Sequence, residues 1–364
     1  MPILFGKNYA KKELLEKVGD VSQIGGVQRF KMAEGRQEGV AAVEFRTGSG
    51  FNFLVVPGKG MDISTAEYRG VPLAFRTPAG EVSPEFYVET GLEWLRSFMA
   101  GLLTTCGLTY VGAPCEDEGK PLGLHGRINN TPAFNVSVEA GWEGERYLMS
   151  VSGMLREYSF FGENLVLKRK ISAELGAKKL WIDDEVVNEG NTLIPHMILY
   201  HINAGFPVVS EGSMLVATTK KATPRNKEAE KDKEHFYLNE APVSGYQERC
   251  YSHEMVSVPE DRFVYSGLVN KALPDGRPIG LYVKYRKEEL PNFTQWKMNG
   301  VQEYVVGMEP ANCEVEGREK ERKRGTLQFL KPGEKREYHL EIGVLSTAEE
   351  VARFETLVKS AFSR

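Results

Sequence analysis

Short runs of Val, Ile, Leu, Phe and Tyr, broken at close intervals by Gly, Pro and Asn, set the pattern of this chain. Residues 40–46 and 51–56 flank a Gly-Ser-Gly turn and predict a hairpin, with Pro57 and Gly58 closing its second strand. Residues 164–173 and 180–187 predict two more strands, the second with Leu180, Ile182 and Val186 on one face by period two, followed by a turn at 188–191. Strands are also predicted at 279–285 and 338–345, the latter after a turn at 331–334. Helical spacing is confined to residues 11–18, residues 92–103 and a C-terminal segment that opens on a capping box at Ser346 and Glu349 and runs to Phe362. The run 219–235 mixes charges and is poor in apolar residues, which predicts a solvated loop or the edge of a lid over a binding site. These elements predict an all-β fold: a large antiparallel β-sandwich with a few peripheral helices, expected as one domain over residues 1–364.

Composition narrows the partners. With 41% hydrophobic residues, the 364-residue chain has ample material for a core. Lys plus Arg number 46 against 50 Asp plus Glu, a net charge of −4, so no global positive field attracts a phosphate backbone or an anionic bilayer, and neither nucleic acid nor membrane is an expected partner. No stretch approaches the roughly 20 apolar residues needed to cross a bilayer, which leads to the expectation of a cytoplasmic protein, monomeric or homodimeric. Cys106, Cys115, Cys250 and Cys313 form no CxxC pair, so neither a disulfide framework nor a zinc knuckle is expected.

Two of the six histidines stand in unusual settings. His125 lies in Leu124-His125-Gly126-Arg127, where Gly123 and Gly126 let the backbone turn tightly around an imidazole. His201 and Asn203 share one face of an apolar strand that runs into Gly205 and Pro207. Either histidine can be a satisfied structural residue or a catalyst. Glu309 ends a hydrophobic strand immediately before Pro310, which places a carboxylate at a strand end; it is either a surface acid or a catalytic one. Trp296 serves as a platform for a sugar ring or as core. His196 and His201 are five apart and face opposite sides of one strand, so no metal centre is expected.

Together these segments resemble the aldose 1-epimerase (galactose mutarotase-like) superfamily, and within it a divergent branch of uncharacterised mutarotase-like proteins. The resemblance runs from Gly60-Met61-Asp62-Ile63 through residues 101–108, Leu124-His125-Gly126-Arg127 and Tyr200-His201-Ile202-Asn203 to Gly307-Met308-Glu309-Pro310. Its strongest motif is the ordered set His125, His201 and Glu309. The surroundings depart from the ordinary pattern: Arg127 replaces a second glycine, Ile202-Asn203-Ala204 follows the second histidine, and proline follows Glu309.

The resemblance implies exchange of sugar anomers. Opening the ring requires a proton delivered to the ring oxygen and one removed from the anomeric hydroxyl, and reclosure reverses both. It implies His201 as the acid and Glu309 as the base, a division suited to groups that titrate near working pH. His125, Arg127, Asn203 and Trp296 are then expected to bind the sugar. Arg127 suits a carboxylate, phosphate or sulfonate through its planar fork. Asp62 is either structural or a sugar contact. No metal or organic cofactor is implied. The rival expectation is a carbohydrate-binding protein that keeps the cleft and turns nothing over.

Overall fold

In the computed structural model, which describes residues 1–362, strands gather into two large antiparallel sheets. The smaller has eight strands in the order Phe134–Glu143, Arg146–Tyr158, Asn164–Glu174, Lys179–Asn188, Lys335–Leu345, Ile279–Arg286, Phe263–Asn270 and Met214–Ala217. The larger runs Thr219–Pro224, Arg249–Met255, Asn292–Gly300, Glu303–Ala311, Ile194–Ala204, Leu103–Leu108, Asp62–Tyr68, Phe51–Val56, Ala41–Arg46 and Gly26–Lys31, with two short strands attached at its flanks. The sheets pack on a shared core in which Leu167, Ile171, Ile182 and Val186 of the smaller meet Phe53, Ile63, Ile198, Ile202 and Met308 of the larger.

The two sheets solve burial differently. Arg146–Tyr158 and Lys179–Asn188 alternate buried and accessible positions, as one-sided antiparallel strands do. Ile194–Ala204 is buried along nearly its whole length. Its even positions, Ile198, Tyr200 and Ile202, enter the core between the sheets, and its odd positions, Met197 and Leu199, pack outward under Trp94, Phe98, Tyr110 and Val315 from long connections. The larger sheet is therefore roofed in part by loops, and an apolar strand can carry polar groups outward beneath them.

The predicted hairpin is present as Ala41–Arg46 and Phe51–Val56, with Val43 opposite Val55, and the predicted strands near 279 and 338 pair with each other. Three expectations are corrected. Residues 92–103 make only a 3₁₀ turn, Glu93–Ser97, because Ala100 and Gly101 adopt left-handed φ of 56° and 72° and lead directly into a buried strand. Residues 219–235 are not a loop: Thr219–Pro224 is the edge strand of the larger sheet, and Asn226 caps a short helix, Lys227–Lys231. An edge strand with solvent on one side has no need of apolar residues, so its pattern reads as loop. The C-terminal helix, Ala348–Ser360, is capped one residue later than expected: Thr347 Oγ1 accepts from the Glu350 amide, and Glu350 accepts from the Ser346 amide. Among the described residues no helix is long and apolar enough to cross a membrane.

Candidate active site

Strand register brings the two candidate reacting groups together. Ile194–Ala204 and Glu303–Ala311 pair with Leu199 opposite Ala311 and Ile202 opposite Met308, which sets His201 across from Glu309 on the outward face. His201 Nε2 lies 3.2 Å from Glu309 Oε1, and both side chains are almost wholly buried. Gly307, on the same face as Glu309, leaves room for the pair: a Cβ there would approach Glu309 Oε1 to 2.5 Å and both His201 Cε1 and Trp296 Cβ to 3.1 Å.

His125 reaches the same place from a loop. It holds φ of 57°, uncommon for a side chain with a Cβ, and the loop is pinned on both sides: His125 N donates to Gly112 O at 3.0 Å, and Gly107 N donates to His125 O at 3.0 Å. The glycines are needed there for close approach, since a Cβ on Gly123 would sit 1.8 Å from Glu89 O and one on Gly126 2.2 Å from Gly107 O. The His125 ring lies 5.0 Å from Trp94 and 6.0 Å, edge-on, from His201. Trp296 flanks the other side of His201 at 5.5 Å, with its indole N–H donated to Glu248 at 2.9 Å. These groups line a cleft of about 720 Å³ with walls of Phe75, Phe98, Leu92 and Leu95.

The charge state follows from burial. Burial, with smaller contributions from His201 and Arg225, drives the His125 imidazolium down to about 3, and burial drives His201 down to about 4. Burial pushes Glu309 up to about 8, eased by Arg225 and reinforced by Glu248. The 3.2 Å spacing of His201 and Glu309 is that of an ion pair, yet burial opposes both charges. We take the resting pair as a neutral imidazole beside a protonated carboxyl, with one transferable proton held on Glu309. This reverses the resting charges that the resemblance implies for the two groups.

His125, His201, Trp296 and Glu309 thus converge, whereas three expected sugar contacts stand elsewhere. Arg127 spends its fork on Glu89 at 2.6 Å, Glu157 at 2.8 Å and Glu163 at 3.2 Å, and lies over Tyr110, so it ties loops together outside the cleft. Asp62 is buried between the sheets against Arg169 at 3.3 Å and accepts from the Thr105 amide at 3.0 Å. Asn203 shares the face of His201 but is fully buried beside it, its amide donating to Gly101 O at 3.1 Å and His201 O at 2.9 Å. Arg127 and Asp62 turn their charge to protein partners and Asn203 turns its amide N–H to backbone carbonyls, while Asp62 Oδ2 and Asn203 Oδ1 stay buried without a partner.

The cleft also holds Arg225, Glu248, Trp94 and Phe98, which sequence reasoning did not nominate. Arg225 was hidden in the charged run 219–235 and Trp94 in a segment that resembled a helix. Among the described residues no group of three or more His, Cys, Asp or Glu is placed to hold a metal ion.

The fold has clear relatives among solved structures. A candidate aldose 1-epimerase from Klebsiella pneumoniae is 24% identical over 92% of this chain and 87% of its own, with a TM-score of 0.86. A galactose mutarotase-like protein from Clostridium acetobutylicum is 15% identical over 89% of this chain and all of its own, with a TM-score of 0.61. A galactose 1-epimerase from Lactobacillus acidophilus is 14% identical over 89% and 99%, with a TM-score of 0.53. At these identities the likeness is one of fold, the galactose mutarotase-like β-sandwich. No curated protein matches the chain. Residues 37–344, most of its length, match the family described as Domain of unknown function (DUF4432), and the chain belongs to that family.

Proposed function

We propose that this protein is an aldose 1-epimerase-like isomerase that interconverts the α and β anomers of a free sugar. The observation that carries the reading is the His201–Glu309 contact of 3.2 Å on the floor of a cleft flanked by Trp94 and Trp296. Anomer exchange needs one proton donor and one acceptor close to a single C–O bond, and a protonated Glu309 beside a neutral His201 supplies one of each. With the proton on Glu309, the carboxyl protonates the ring oxygen while His201 accepts the proton of the anomeric hydroxyl. The C1–O5 bond breaks and the open aldehyde forms. Rotation about C1–C2 presents the other carbonyl face. Reclosure returns the proton from His201 to the former carbonyl oxygen and the ring-oxygen proton to Glu309, so the pair ends as it began. His125 and Trp296 would hold the ring, the indole against its apolar face.

Proton exchange NMR on equilibrated aldoses tests the proposal. Enzyme-dependent exchange between α and β anomers is expected for at least one sugar, and to be lost in His201→Ala. Saturable sugar binding with exchange no faster than buffer would overturn it in favour of a carbohydrate-binding protein.

Gly307→Ala offers a geometric check, because its methyl group would collide with the pair. A misplacement of ~1 Å can cost about 10²-fold in rate, so exchange is expected to fall by that order with little change in the thermal midpoint. Wild-type exchange rates in this variant would show that the spacing of the pair is not critical.

A further inference from the structure

We propose that the sugar taken by this cleft carries an acidic substituent, a carboxylate or a phosphate, and that Arg225 holds it; the inference rests on the anomer-exchange reading and names its substrate class. Arg225 follows the edge strand Thr219–Pro224 and lines the cleft with His125, His201 and Glu309. Its backbone is fixed by the Arg225 amide donating to Cys250 O at 2.9 Å. Its guanidinium donates to Val315 O at 3.3 Å, and among the described residues no carboxylate lies within ion-pair distance of it. Its side chain also reaches Cys250, and because the residue is exposed its remaining N–H donors face solvent at the cleft. Other arginines nearby are neutralised: Arg127 by Glu89, Glu157 and Glu163, and Arg249 by Asp232 and Glu240.

The surroundings favour an anion on the Arg225 side. His125 and His201 are uncharged at neutral pH, and Glu309 holds its proton, so the floor offers no competing cation or anion. Arg225 and the reacting groups line one cleft, where its positive charge favours the ionised form of Glu309. Glu248 is the opposing charge of the rim, and its carboxylate is engaged by the Trp296 indole at 2.9 Å. An acidic group would therefore be drawn to Arg225, with Glu248 on the same cleft restricting how it can approach. A planar fork with open donors matches the paired oxygens of a carboxylate or phosphate.

The test measures kcat/KM for anomer exchange with the full chain on glucose, galactose, glucose 6-phosphate, glucuronic acid and galacturonic acid, with Kd by calorimetry on the same sugars. A charge-assisted hydrogen bond of about 1.5–3 kcal/mol corresponds to a preference for the acidic sugar of roughly 10- to 100-fold over its neutral parent. Arg225→Gln should collapse that preference, and Arg225→Lys should restore part of it. Comparing the phosphate with the uronic acids identifies which anion is bound. A neutral sugar preferred in the wild type, or acidic and neutral sugars losing equally in Arg225→Gln, overturns the proposal while leaving anomer exchange standing. If no sugar is exchanged, the isomerase reading fails by itself. Acidic sugars that still bind more tightly, and lose that advantage in Arg225→Gln, then sustain the anion site, and no such binding removes it.

Discussion

Glu309→Gln is expected to slow anomer exchange at neutral pH by about 10²- to 10⁴-fold, the usual contribution of a positioned proton donor or acceptor. The amide keeps the size of the side chain but cannot release a proton, so the donor to the ring oxygen is gone. The wild-type pH profile of kcat/KM carries the same information. Exchange requires Glu309 protonated and His201 neutral. As pH rises through about 8 Glu309 ionises and the donor is lost, and as pH falls through about 4 His201 gains a proton and the acceptor is lost. The expected profile is a bell, flat between these limits, whose limbs belong to the pair as a unit. Polarimetry across pH checks it. A Glu309→Gln variant with wild-type rate, or a rate that keeps rising above pH 8, would remove the pair from the mechanism.

The largest effect on stability is expected at Arg169. This guanidinium is fully buried between the sheets, donating to Asp184 at 2.6 and 2.9 Å, to Thr105 Oγ1 at 2.8 Å, and to Gly60 O and Asp62 at 3.3 Å. Tyr200, the neighbour of His201, donates its hydroxyl to the same Asp184 at 2.6 Å. Arg169→Met would keep much of the side-chain volume and strand two buried carboxyl groups. Breaking a buried ion pair on one side typically costs about 3–5 kcal/mol, and chemical denaturation should show a loss of that order. A loss below about 1 kcal/mol, the size of a surface ion pair, would mean that water or rearrangement satisfies both aspartates.

The architecture was legible where alternation is strict. Leu180, Ile182 and Val186 read as one face and are one face of the core. The order His125, His201 and Glu309 pointed to groups that do converge, although their contact depends on the register of two strands about a hundred residues apart, which no local pattern states. Arg127 stands outside the cleft because three carboxylates from other segments engage its fork, a pairing no local pattern states. Asp62 reads equally as structural or as a sugar contact in the sequence, and only the structure sets Arg169 beside it. Arg225 was missed because a charged edge strand and a charged loop look alike in sequence, and only pairing with Arg249–Met255 reveals the difference.

The placement of His201 and Glu309 on adjacent, centrally located strands separates the reacting groups from the loops that wall the cleft. Strand pairing on either side of them, at Leu199–Ala311 and Ile202–Met308, fixes where the two groups meet. On the anomer-exchange proposal, discrimination among sugars falls to the segments that wall the cleft, residues 75–98 and 225–248. On that reading the walls, more than the reacting groups, set which sugar is taken.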